Sequence, residues 1–164
     1  MSQMPWRFTD ERELDQLEVD GVPYERRYGN PGLSPEGECL NNCLIDSLRQ
    51  CLDIVLSREE AVALGKAVRR DLEAEFDEPL DDQRRLVTRA SYLDIGHHWQ
   101  AILRSLLRHN TSNSSAAFVP NDYCIVGLFG NRPGHGVVFG RRDAPNRLVV
   151  INWYDMHFDA CIRQ

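Results

Sequence analysis

The apolar residues of this chain change their spacing once, and that change restricts the fold more than any other feature. From Leu44 to Leu107 they recur every three or four residues, the period of a helix face. From Tyr123 to Tyr154 they form short dense runs broken by Gly, Pro and Asn, the texture of strands and turns. Leu44, Ile45, Leu48, Cys51, Leu52 and Val55 predict a first helix, with Asn42 as its cap and Cys43 as its first residue. Ser57 and Glu60 form a capping box ahead of Ala61, Leu64, Val68, Leu72 and Phe76, a second helix that Pro79 ends. Asp94 is positioned to cap a third, Ile95 to Arg108, whose buried face is Trp99, Ile102, Leu103, Leu106 and Leu107. "YCIVGLF", "HGVVFGR" and "RLVVINWY", separated by "GNRPG" and "DAPN", predict an antiparallel meander of three strands. The expected fold is α+β: N-terminal helices packed on a small, mainly antiparallel sheet formed by the C-terminal strands.

Residues 1–36 are rich in turn formers and read as an irregular arm, anchored by Trp6, Phe8 and Tyr24. Residues 37–164 then make up the main body of a single domain. The net charge of -6 argues against a nucleic-acid partner, which calls for a basic surface. No apolar run approaches the roughly 20 residues of a membrane span. The acidic start "MSQMPWRFTDERELDQLEVDG" lacks the apolar core of a secretory signal. A protein of the cytosol, without membrane contact, is expected. The cysteine count of five is odd and the spacing irregular, which fits reduced thiols better than a disulfide framework.

Three of those cysteines crowd into "GECLNNCLIDSLRQCL". A helix N-terminus stabilises a thiolate through unpaired backbone N–H groups, and the same groups can serve as an oxyanion hole. Cys43, after a cap and before an apolar helix, is therefore the candidate nucleophile. Cys51 and Cys124 fall among apolar neighbours and read as core; Cys161 carries no signal. A thiolate needs a base, normally histidine, and the base needs an orienting group. His135 stands between Gly134 and Gly136 at the mouth of a strand, where a substrate backbone can approach closely; Trp153 is a further substrate-contact candidate. With "DAPN" as a hairpin turn, His135 falls opposite Asn152 or Tyr154, so Asn152 can orient the ring; Asp155 takes that part if the register slips by one residue. His97 and His98 open the third helix and read as exposed, and His157 is a weaker rival base. Cys39 and Cys43 with His97 and His98 make a poor zinc set, because adjacent histidines do not easily chelate one ion. No metal and no cofactor is expected.

"CLIDSLRQCL" resembles the nucleophile helix of ovarian-tumour (OTU) cysteine proteases: Cys43, Leu44, Ser47 and Leu48 match, and Ile45 takes the place of an aromatic. "GHGVVFG" and "VVINW" resemble the papain-like layout, in which a histidine opens one strand and an Asn or Asp lies on the next. The sequence departs from the OTU pattern upstream, where "PEGECL" leads into Cys39, four residues ahead of Cys43. Cys39 is thus the alternative nucleophile, and Leu40, Asn41 and Asn42 become oxyanion-hole candidates. The resemblance implies a papain-like fold and a monomer that cleaves isopeptide bonds at the C-terminus of ubiquitin or a ubiquitin-like protein. His135 would take the Cys43 proton and Asn152 would orient His135. The divergence of the motifs suggests a microbial effector or toxin acting inside a host cell. A glutamine deamidase or other protease using the same triad, or an inactive binding module, are the alternative readings.

Overall fold

A computed structural model describes residues 6–8, 16–27, 39–76, 94–110, 118–153 and 157–164; for Phe8 and for residues 39–43 it describes the backbone alone. Among these residues there are three helices, α1 (Cys39–Cys51), α2 (Arg58–Phe76) and α3 (Ile95–Asn110). The strands are β1 (Trp6–Phe8), β2 (Gln16–Val19), β3 (Val22–Arg26), β4 (Tyr123–Phe129), β5 (Gly136–Gly140), β6 (Asn146–Trp153) and β7 (His157–Arg163). They form one seven-stranded sheet in the order β1-β2-β3-β7-β6-β4-β5. Every neighbouring pair is antiparallel except β4 and β6. The class is α+β with a mainly antiparallel sheet, and no described helix is long and apolar enough to cross a membrane.

The helix signals translate directly. Ser57 and Glu60 exchange both capping bonds, Glu60 N to Ser57 Oγ at 3.2 Å and Ser57 N to Glu60 Oε1 at 3.1 Å. Asp94 Oδ1 accepts the Gly96 N–H at 2.9 Å and so caps α3. The start of α1 differs from expectation. Its backbone is helical from Cys39, so Asn42 lies inside the first turn and is not its cap. The helical spacing explains the earlier start, since Leu40 stands four residues before Leu44 and extends the same apolar row.

The meander is corrected. β5 folds back along β4, but β6 does not pair with β5; it lies parallel to β4 on the other side. The 141–145 connection therefore crosses the start of β4. There Gly140, at φ +88°, brings its backbone so close that a Cβ would stand 2.9 Å from Tyr123 O. Burial gives the reason. β4 and β6 are covered on both faces, as interior strands are, whereas β5 has the lighter burial of an edge.

Alternate residues of the central strands feed two cores. Ile125, Leu148, Val150 and Phe158 join Leu44, Ile45, Leu48, Val68, Leu72, Trp99, Ile102, Leu103 and Leu106 from the three helices. Cys124, Val126, Leu128, Val149, Ile151 and Cys161 meet Trp6, Leu17, Val19 and Tyr24 on the opposite face. The described parts of the N-terminal segment, residues 6–8 and 16–27, are thus regular: their three strands extend the sheet beyond β7 and supply one wall of the second core. Trp6 and Tyr24 anchor it as expected.

Candidate functional site

Three of the five cysteines are disqualified as nucleophiles by their surroundings. The Cys51 thiol donates to Val149 O at 3.2 Å, and burial pushes its pKa up to about 12. Cys124 is fully buried in the second core, and burial raises its pKa also. Burial, then the neighbouring Cys51 and Asp159, drive Cys161 well above the ordinary thiol value. Each of these thiols stays protonated at neutral pH, leaving Cys39 and Cys43, both in the first turns of α1. The first turn of a helix has amides with no intrahelical acceptor. In α1, within the described residues, these belong to residues 39–41, which include two of the oxyanion candidates, Leu40 and Asn41.

The packing of α1 shows where that turn lies. Cys51 sits over Val149 and Cys161, and one turn earlier Ser47 Oγ donates to Phe158 O at 3.0 Å. Ala160 O takes the Arg27 N–H at 2.8 Å, so the carbonyls of Ala160 and Phe158 face the β3 side of β7. β3 itself pairs with β7 only over Cys161–Arg163. Among the described residues no strand covers that edge ahead of Ala160, and α1 crosses there. One further turn, about 5.4 Å along the axis, continues α1 from Ser47 to Cys43 in the direction of the β7 end that His157 opens. Cys39 lies a turn beyond it.

His157 opens β7 and Asp159 follows on the same face, because strand side chains alternate. His157 Nε2 lies 3.0 Å from Asp159 Oδ1. Asp159 Oδ2 receives Arg26 Nε at 3.0 Å, Arg26 Nη2 at 2.9 Å and Trp153 Nε1 at 3.0 Å. The Asp159 side chain is 2% exposed, and that of His157 is 41% exposed. Burial alone would raise the Asp159 pKa, but the His157 hydrogen bond and the Arg26 charge outweigh it and hold the group below its ordinary value. The carboxylate is therefore ionised and can only accept. In this contact Nε2 of His157 is therefore the donor.

The expected pair is placed differently. His135 and Asn152 are not on neighbouring strands: both stand beside Phe129, on opposite sides of β4. Two strand spacings, about 9.6 Å, separate their backbones. His135 is held by its main chain, its carbonyl accepting Phe129 N at 3.0 Å and Trp6 Nε1 at 2.6 Å. Gly134 is an exposed turn residue at φ +90°, while Gly136 is buried against β4, where a Cβ would meet Gly127 O at 3.0 Å. Trp153 packs over Gly130 and donates to Asp159, so it belongs to the carboxylate's frame. Asp155 lies outside the described residues. His97 is exposed, but His98 is buried, its Nδ1 accepting the Asp94 N–H at 2.9 Å.

Asn152 is buried and lines a groove of about 470 Å³. Ile95, Gly96, Gly127, Phe129, Val137 and Phe139 line its walls between the start of α3 and the strands. Asn152 pairs with Phe158, and Trp153 with His157, so the Asn152 wall of the groove stands one residue pair from His157 along the sheet. No protein-family model matches the chain, and no curated protein matches its sequence.

Asp159 and Arg26 are what sequence reasoning missed, and it ranked His157 below His135. The usable signal was "HFDACIR", where His157, Asp159 and Cys161 alternate with Phe158, Ala160 and Ile162. A buried charge in the middle of that pattern disguised it as a tail after the last strand.

Proposed function

We propose that the chain is a thiol hydrolase of papain-like, OTU-like type that cleaves isopeptide bonds at the C-terminus of ubiquitin or a ubiquitin-like protein. Cys43 is its nucleophile, His157 its base and Asp159 the orienting group. The observation that carries this reading is the 3.0 Å contact of His157 with an ionised Asp159, at the strand end that α1 crosses. The resemblance of the Cys43 helix to OTU proteases supplies the substrate class.

The chemistry follows from the roles. Asp159 holds Nε2–H, so Nδ1 of His157 takes the Cys43 proton and the thiolate attacks the scissile carbonyl. Charge develops on the carbonyl oxygen, where the first-turn amides of α1 can receive it, with Asn41 and Asn42 beside them. His157 returns its proton to the departing amine, leaving a thioester on Cys43. Water, deprotonated by His157, attacks the thioester; the carboxylate leaves and the thiol is restored. Asp159 keeps its charge throughout and stabilises the imidazolium. The groove is lined by Asn152, Gly96 and Gly127, and the missing side chains of the two glycines leave room for an extended segment.

The test is a ubiquitin probe with an electrophile at its C-terminus. Labelling of the wild-type protein that Cys43→Ala abolishes and Cys39→Ala does not is the expected result. Absence of labelling in folded protein, or labelling that follows Cys39, overturns it.

A further inference from the structure

Oδ2 of Asp159 accepts three N–H groups, two of them from one guanidinium. That guanidinium comes from the N-terminal arm, at the last residue of β3 to pair with β7. Its carbon also lies 4.8 Å from the centre of the Trp153 ring, so arginine and indole hold each other as well as the carboxylate. With three donors on Oδ2 the carboxylate cannot rotate without breaking charge-assisted bonds, and Oδ1 stays directed at His157. Burial favours the protonated form of a carboxylate, and the fixed positive charge of Arg26 opposes that. Burial leaves only 12% of the Arg26 side chain exposed, which excludes a simple surface ion pair.

We propose that Arg26 is a positioning residue of the hydrolase, acting on His157 through Asp159, so that the N-terminal strands complete the active site. This rests on the assignment of His157 and Asp159 made above. Lysine cannot replace arginine fully, because two donors in a planar fork converge on one oxygen.

The experiment compares full-length Arg26→Gln, Arg26→Lys, Asp159→Asn and the Arg26→Gln/Asp159→Asn double variant, using hydrolysis of a ubiquitin C-terminal fluorogenic amide. Arg26→Gln is expected to lower kcat about 10- to 100-fold with KM changed less than about twofold. Arg26→Lys is expected to recover part of the loss. The double variant should be no slower than Asp159→Asn alone, since Arg26 has nothing left to act through. Removing both charges also keeps the double variant foldable where Arg26→Gln leaves a buried carboxylate short of partners, and thermal melts check this. Wild-type kcat in folded Arg26→Gln, or losses that multiply in the double variant, overturn the proposal. Because an asparagine oxygen can still accept from His157, Asp159→Ala is measured beside these; if it is fully active, the parent assignment falls and this one with it. If Asp159→Asn is inactive and Arg26→Gln is not, only the role of Arg26 fails.

Discussion

His157→Gln, compared with His135→Gln, separates the two candidate bases. The backbone of β5 lies three strands from β7, about 14 Å at the usual spacing of about 4.8 Å. A proton passes between groups about 3 Å apart, so a base serving a nucleophile beside β7 belongs on β7. Removing it is expected to lower kcat about a thousand- to ten-thousand-fold, which is about 4–5.5 kcal/mol of transition-state stabilisation. Folding should change little. The His157 ring is 41% exposed and its bond to Asp159 contributes about 1 kcal/mol or less, a fall of roughly 2–4 °C in Tm. His135 contributes to the fold through its carbonyl, which glutamine retains, so His135→Gln is expected to keep kcat within about threefold. The assay is steady-state hydrolysis of a ubiquitin C-terminal amide, with melts on each variant. Loss of activity in folded His135→Gln, with His157→Gln active, refutes the reasoning.

Replacing Cys51, Cys124 or Cys161 singly by alanine should leave the rate of iodoacetamide labelling at pH 6 unchanged, because their thiols are held protonated; a slower rate in any of them contradicts the elimination. Gly130→Ala places a methyl 2.4 Å from the Trp153 ring and is expected to cost about 1–3 kcal/mol in chemical denaturation and to lower kcat, by moving the indole off Asp159. The Asp159 pKa is depressed by folding, so its contribution to stability is complete above the unfolded carboxyl value of about 3.9 and is lost as pH falls through the lower folded value. Asp159→Asn should therefore flatten part of the acid limb of the stability curve below about pH 4, and an unchanged limb counts against the ion pair. Ser57→Ala removes a capping bond and is expected to cost about 0.5–2 kcal/mol with no effect on kcat.

The period of the apolar residues was enough to delimit α2, α3 and β4, because capping and periodicity are local properties that neighbouring residues settle among themselves. The same logic picked the crowded cysteine helix and set Cys51 and Cys124 aside as core. Strand partners are different. Whether β6 lies beside β5 or across β4 depends on which edge of β4 is open when the chain returns, and nothing in "DAPN" encodes that. The expected pairing of the His135 and Asn152 strands failed for this reason. β7 was missed because Asp159 reads as a surface residue until Arg26, 133 positions away, is seen to neutralise it. The arm read as irregular for a related reason: its short strands acquire their regularity from β7 and from the second core. Local sequence thus determined the helices and the candidate sulfurs. Pairing between distant segments decided which histidine, carboxylate and arginine meet, because hydrogen bonds and charge neutralisation at a buried site depend on spatial neighbours and not on sequence order.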